Sequence, residues 1–241
     1  MNKEILPVLI IALMFAIAAY VEPMVKTDYE GNMAGNWAQN GKEGGWVNKT
    51  VGLYLVPVLT FFIYLILLIV PKIGICRENF GEFERQFWGF KVVLVFVMGV
   101  IYVATLLPSI GNGGDPMFVV VAAVSMLFFY VGHMLNYTKR NFSMGVRTPG
   151  TLSSEKAWGK TNRLAGKLFW VCGALCLIAL VTPPEIRLWM VVGPAILAAI
   201  AATAYSYLEY EKTMKEQLAG KKTGITKRKR RPLRRKKTRK L

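Results

Sequence analysis

Six long apolar runs, each separated from the next by a polar segment, set the pattern of the chain: 5–21, 51–70, 92–107, 117–135, 164–182 and 188–208. A hydrocarbon layer about 30 Å thick takes roughly 20 helical residues at 1.5 Å each, so each run with its flanks can cross a bilayer. No run alternates polar and apolar residues over ten positions, as a membrane strand would. A helix satisfies its own backbone groups in lipid without having to close into a barrel. The expected fold is all-α, a polytopic membrane protein with six transmembrane helices. The even count brings both termini to one side.

Composition agrees. Of 241 residues, 54% are hydrophobic and 19% charged, too little charge for a water-soluble domain of this length. The net charge of +17 is mostly local, because Lys221–Leu241 holds 13 basic residues and no acid, leaving +4 for the rest. Counted by segment, Lys and Arg number 27 on one alternating set and 4 on the other. Positive segments stay inside, so both termini, 72–91 and 136–167 are assigned to the cytoplasm. Segments 22–50, 108–116 and 183–187 face outward. This is the layout of a multi-pass protein of the cell membrane. The triplet Ala16-Ile17-Ala18 has the look of a cleavage site, but the first run is read as a retained span. Three cysteines, two of them in one apolar run, do not make a disulfide framework.

The polar segments divide the chain further. Residues 1–71 form a two-helix unit around a Gly/Trp-rich outer loop, with Trp37 and Trp46 suited to the headgroup layer. Residues 72–115 hold the third run. Before it, Phe80, Phe83, Phe87 and Phe90 recur at spacings of three and four, which predicts a short amphipathic helix on the inner membrane surface. Residues 116–208 form a three-helix unit, with Asp115 and Pro116 opening its first helix. Six alanines between 195 and 204 favour close helix packing. In 209–241 the last helix is expected to continue to Gly220 and give way to a disordered basic tail. The tail's favoured partner is anionic lipid headgroups through Lys221–Lys240. It has no aromatic residue for base stacking, so nucleic acid is not favoured.

Chemistry in membranes usually needs buried ionisable groups. The centres of the first, second, third and sixth runs have none. Cys172, Cys176 and the single His133 make a poor zinc set, and no hydrolase, phosphate-loop or metalloprotease motif is present. No catalytic residue, cofactor or metal is therefore expected. The alternative class is a small-molecule transporter or membrane enzyme built around a polar cleft near the cytoplasmic face.

One polar stretch stands out, 136–167, with seven Lys/Arg and the single acid Glu155. Gly145 permits a turn or a close backbone approach, Pro149 forces Thr148 extended, and Ser153 or Ser154 can cap a helix. Trp158 and Asn162 share one face of that helix. Arg147 and Trp158 are expected to form an inward docking surface.

The run Asn141 to Arg163, NFSMGVRTPGTLSSEKAWGKTNR, resembles the signature of the SdpI family of membrane proteins. The candidate binding positions that the resemblance implies here are Asn141, Gly145, Arg147, Thr148, Pro149, Leu152, Glu155, Trp158, Thr161, Asn162 and Arg163. Gly150 stands where the family usually has Trp, and Asn162 where it has His. The outer loop is similar to a small domain that often precedes this signature, through Asn36, Trp37, Gly41 and Lys49, with Pro57 following. There too a His is replaced, by Asn36. The resemblance implies a toxin-immunity protein that binds a toxin peptide outside and a regulatory protein inside.

Overall fold

The computed structural model describes residues 3–28, 30–34, 45–73, 80–111 and 115–229. Side chains are described as far as Leu218, apart from Gln217. Six helices are long and apolar enough to cross a membrane. They are α1 (Ile5–Val21), α2 (Lys49–Ile69), α3 (Glu84–Ser109), α4 (Pro116–Tyr137), α6 (Glu155–Ala179) and α7 (Pro184–Lys229), with a short α5 (Pro149–Ser153) before α6. The chain is a multi-pass, mostly helical membrane protein. Its outward-turned apolar side chains, Leu9, Ile66, Trp189, Leu197 and Ile200 among them, are exposed because the solvent for that surface is lipid.

Two groups of helices share α3 and α4 as their seam. One is α1, α2 and α3. The other is α4, α6 and α7. The first closes on Met14, Ala18, Leu53, Tyr102 and Leu106. Met33 joins that cluster from a small antiparallel ribbon, β1 (Asn32–Ala34) on β2 (Trp46–Asn48), in which Met33 faces Val47. This ribbon is the one departure from all-α among the described residues. Asp28 starts it: its carboxylate accepts from the backbone of Glu30 and Asn32 at 2.9 and 2.8 Å, and Gly31 turns the chain at φ 79°. The backbone donation from Asn32 leads the effects that hold the Asp28 carboxyl below its usual range. In the second group, α4 and α6 touch backbone to backbone. A Cβ on Gly132 would lie 2.7 Å from the Gly166 carbonyl oxygen, and one on Gly166 the same distance from that of Gly132. Small residues let helices approach this closely in lipid, where dispersion drives association.

The buried charges, Lys91, Arg187 and Glu209, sit at the ends of the bundle beside an opposite charge. At one end Lys91 pairs with Glu4, which also accepts from the Tyr64 hydroxyl at 2.7 Å. Lys3 reaches Glu84 at 3.1 Å, and the Trp88 indole donates to the Lys3 carbonyl. Lys160 joins Glu209 and Lys156 joins Glu216 between α6 and α7. At the opposite end Arg187 pairs with Asp115, the cap of α4, which accepts from Phe118 N at 3.2 Å. The alternation read from the loop charges thus matches the sorting of the helix ends.

Two expectations are corrected. The phenylalanine stripe does not lie on the membrane as a separate helix. Helix α3 starts at Glu84 and runs without a break, Phe83 and Phe87 are fully buried, and Phe80 packs edge-on to both rings at 5.1 and 5.2 Å. An aromatic stripe flanked by a spanning run finds more contact inside the bundle than on its surface. Nor does Gly220 end the last helix, whose backbone continues to Lys229. A glycine among good helix formers costs only about 1 kcal/mol, too little to stop a long helix.

Burial raises the Glu4 carboxyl, but hydrogen bonds from Lys91 and Tyr64 and the charges of Lys91 and Lys3 outweigh it and leave the group below its ordinary 4.5. A depressed carboxyl stabilises the fold fully above that ordinary value and loses the contribution as pH falls through the depressed one. Thermal unfolding of the protein in detergent should therefore show Tm dropping below pH 4.5, and Lys91→Met should flatten that drop. At neutral pH Lys91→Met should cost about 1–3 kcal/mol, since it strands a half-buried carboxylate.

Candidate functional site

The signature segment begins where α4 ends and finishes two turns into α6. Thr138 and Asn141 turn the chain off α4. The Thr138 hydroxyl donates to the Met134 carbonyl at 2.8 Å, closing the last turn. Asn141, fully buried, accepts from Ser143 N and Met144 N at 2.7 and 2.8 Å and donates to the Lys139 carbonyl. This side-chain turn replaces backbone partners that a loop lacks. Thr148 then caps α5 by a reciprocal pair: its hydroxyl accepts from Thr151 N at 3.2 Å while the Thr151 hydroxyl accepts from Thr148 N at 2.9 Å. Pro149 occupies the first helical position, where its missing N–H costs nothing. The Thr151 hydroxyl also donates to the Val146 carbonyl at 2.7 Å. Ser154 caps α6 by accepting from Ala157 N at 3.3 Å. Of the two serines named as possible caps, Ser154 does this work.

Asn162 ties the loop to the helix. Its Oδ1 accepts from Val146 N at 2.9 Å, and its Nδ2 donates to the Trp158 carbonyl at 3.1 Å. Both the oxygen and the nitrogen of this buried amide bond to backbone groups, which gives the side chain a structural part. Trp158 lies 2% exposed, its indole N–H donating to the Thr138 carbonyl at 2.8 Å. Gly145 makes the arrangement fit. It has φ 116°, and a Cβ there would stand 2.6 Å from Asn162 Oδ1 and 3.0 Å from the Trp158 ring. Gly150 is buried as well, with the Tyr210 side chain of α7 in the space a larger residue would need. Any larger side chain at position 150 would therefore collide with Tyr210.

The expected docking pair separates. Arg147 is exposed and donates to the Phe142 carbonyl at 2.6 Å, whereas Trp158 is a core residue. The helical period carried the signal, since Trp158, Asn162 and Ala165 fall on one face of α6 and all are buried. Thr161 is also fully buried, its hydroxyl without a partner among the described residues. Of the signature positions, Arg147, Pro149, Glu155 and Arg163 remain on the surface, and Leu152 is half-buried.

Beside the segment lies a cavity of about 460 Å³, walled by the end of α4, the start of α6 and Glu82 ahead of α3. Asn136, Lys139, Arg140, Glu155, Trp158 and Arg163 line it. Asn136 and Glu155 thus share one cleft, but Arg147 and Asn162 do not face it. On the other side of the bundle, Lys49 opens α2, half-buried, with Asn48 capping that helix by accepting from Thr50 N at 3.0 Å. Asn36, Trp37 and Gly41 lie outside the described residues.

Residues 138–206 match the model of the SdpI/YfhL protein family. The chain is also similar to a curated protein named immunity protein SdpI, from Bacillus subtilis (strain 168). The two are 24% identical over 212 residues, spanning 88% of this chain and 98% of the relative. No solved structure matches. The family match starts at Thr138, the residue whose carbonyl receives the Trp158 indole.

Gly145→Ala should destabilise the protein by about 1–3 kcal/mol, because it adds backbone strain to a steric conflict with Asn162. Trp158→Phe should cost about 1 kcal/mol or more by removing one buried hydrogen bond. Thermal unfolding in detergent measures both, and an exposed control such as Lys156→Gln should move far less.

Proposed function

We propose that this chain, a member of the SdpI family by its segment 138–206, is an immunity protein of the plasma membrane that protects its cell from a membrane-active toxin peptide. The resemblance to an immunity protein over nearly the whole of both chains carries this reading. The outer loop, with Asn36, Trp37, Gly41 and Lys49, is the toxin side. The cytoplasmic signature is the side for a regulatory protein, reached through its exposed positions Arg147, Pro149, Glu155 and Arg163. Trp158 and Asn162 support that surface from below and do not belong to it. The reading is non-enzymatic. It also fits the sorting of buried charge to the bundle ends, where it holds helices together and does not line a path between the two sides.

A transporter or enzyme would be expected to gather Asn136, Glu155, Arg147 and Asn162 around one opening. Two of the four do so, and the amide of Asn162 is spent on backbone groups.

Removal of the protein from its host should sensitise the cells to a membrane-active peptide, seen as a several-fold fall in inhibitory concentration across a panel that includes the host's own peptides. Unchanged sensitivity throughout the panel would contradict the immunity reading. Arg147→Ala should abolish protection while the protein still inserts in the membrane at wild-type levels. Full protection by that variant would rule out a role for the Arg147 surface.

A further inference from the structure

The cavity beside the signature segment lies where spanning helices stop. Its walls come from the last turn of α4 and the first turns of α6, which is headgroup depth in a bilayer. Tyr137, 53% exposed at this rim, is a residue type that anchors at that depth. We propose that the cavity binds the headgroup of an anionic phospholipid of the phosphatidylglycerol class, taken from the leaflet on that side.

Charge carries the argument first. Lys139, Arg140 and Arg163 line the cavity against Glu82 and Glu155, a net charge of +1. One monoanionic phosphodiester balances it, and a zwitterionic lipid does not. Arg163 is exposed, and its side chain has no hydrogen bond or ion pair among the described residues. Lys139 meets Glu82 at 3.5 Å, with both side chains more than half exposed. Such a pair contributes little, so Lys139 can turn to a phosphate at small cost. Arginine presents a fork that matches phosphate oxygens, and basic pockets between membrane helices are a known means of holding anionic headgroups.

The acceptors carry the rest. A bare phosphate offers Glu155 nothing but repulsion. The glycerol of the headgroup offers hydroxyl donors, for which Glu155 and the Asn136 Oδ1 are the matching partners, while Asn136 Nδ2 is already committed to the Gly132 carbonyl at 2.8 Å. The buried Trp158 supplies an apolar wall, since its only polar group is held by Thr138. A headgroup seated there bridges α4 and α6 to the start of α3, and so ties the two helix groups together. The inference does not depend on the immunity reading, whose readout is survival; it gives Glu155 and Arg163 to the lipid and leaves Arg147 and Pro149 for a protein partner.

The test uses the full-length chain, tail included, in nanodiscs of phosphatidylcholine alone, with added phosphatidylglycerol, or with added phosphatidylethanolamine. Phosphatidylglycerol should raise Tm and remain bound in native mass spectrometry, and phosphatidylethanolamine should do neither. The double variant Lys139→Gln, Arg163→Gln should lose the phosphatidylglycerol shift while melting like wild type in phosphatidylcholine. A full shift in that variant would assign the effect to the basic tail and overturn the proposal, as would an equal shift with phosphatidylethanolamine. Soluble glycerol phosphate added to phosphatidylcholine discs should leave Tm unchanged. Protection equal to that of the lipid would show a free phosphate ligand and overturn the lipid assignment. If the double variant melts below wild type in phosphatidylcholine, Arg163→Lys decides. It keeps the charge at an exposed position and should retain phosphatidylglycerol about tenfold less well, the loss of one charge-assisted contact. Unchanged retention would overturn the proposal.

Discussion

A single buried amide organises the end of the molecule where α4 stops and α6 begins. Asn162 receives the N–H of Val146 and gives its own to the carbonyl of Trp158, so loop and helix are fixed by one side chain. The geometry works because Gly145 lets the backbone come within reach and because Trp158 fills the space beneath and holds the end of α4 through Thr138. A buried amide with both ends paired specifies one conformation, and with either end unpaired it would cost more than an apolar residue. The surrounding caps, Thr148 with Thr151 and Ser154 at α6, close the backbone groups that remain. Asn141, Asn162, Thr151 and Trp158 thereby serve structure, and the signature's surface is left to Arg147, Pro149, Glu155 and Arg163.

This sharpens what the signature does in this chain. Where the resemblance leads one to expect a histidine at position 162, the amide can hydrogen-bond on both sides but cannot titrate. The segment is a hydrogen-bonded cap seated on α4, α6 and α7, with Tyr210 occupying the volume next to Gly150.

Much of this was legible in the chain itself. The spans follow from hydropathy, the alternation from loop charge, and the caps at Asp115 and Ser154 from residue type. Gly145 was readable as a close approach. Long-range pairing was not. Nothing local joins Glu4 to Lys91 or Asp115 to Arg187, residues 87 and 72 positions apart in the chain. The two misread elements share a cause. The phenylalanine stripe and the Gly220 stop are signals of local pattern, and packing inside the bundle and the continuity of a long helix outweigh them. The chemistry of Trp158 suggests a surface, but the same helical period that links it to Asn162 puts both on the buried face.

Hydrogen exchange over residues 141–152, in wild type and in Asn162→Ala, tests the organising role of the amide most directly. The account predicts strong protection of the Val146 amide and its neighbours in wild type, lost in the variant while α4 and the membrane part of α6 stay protected. A segment that exchanges freely in wild type, or is equally protected without the Asn162 side chain, would contradict it.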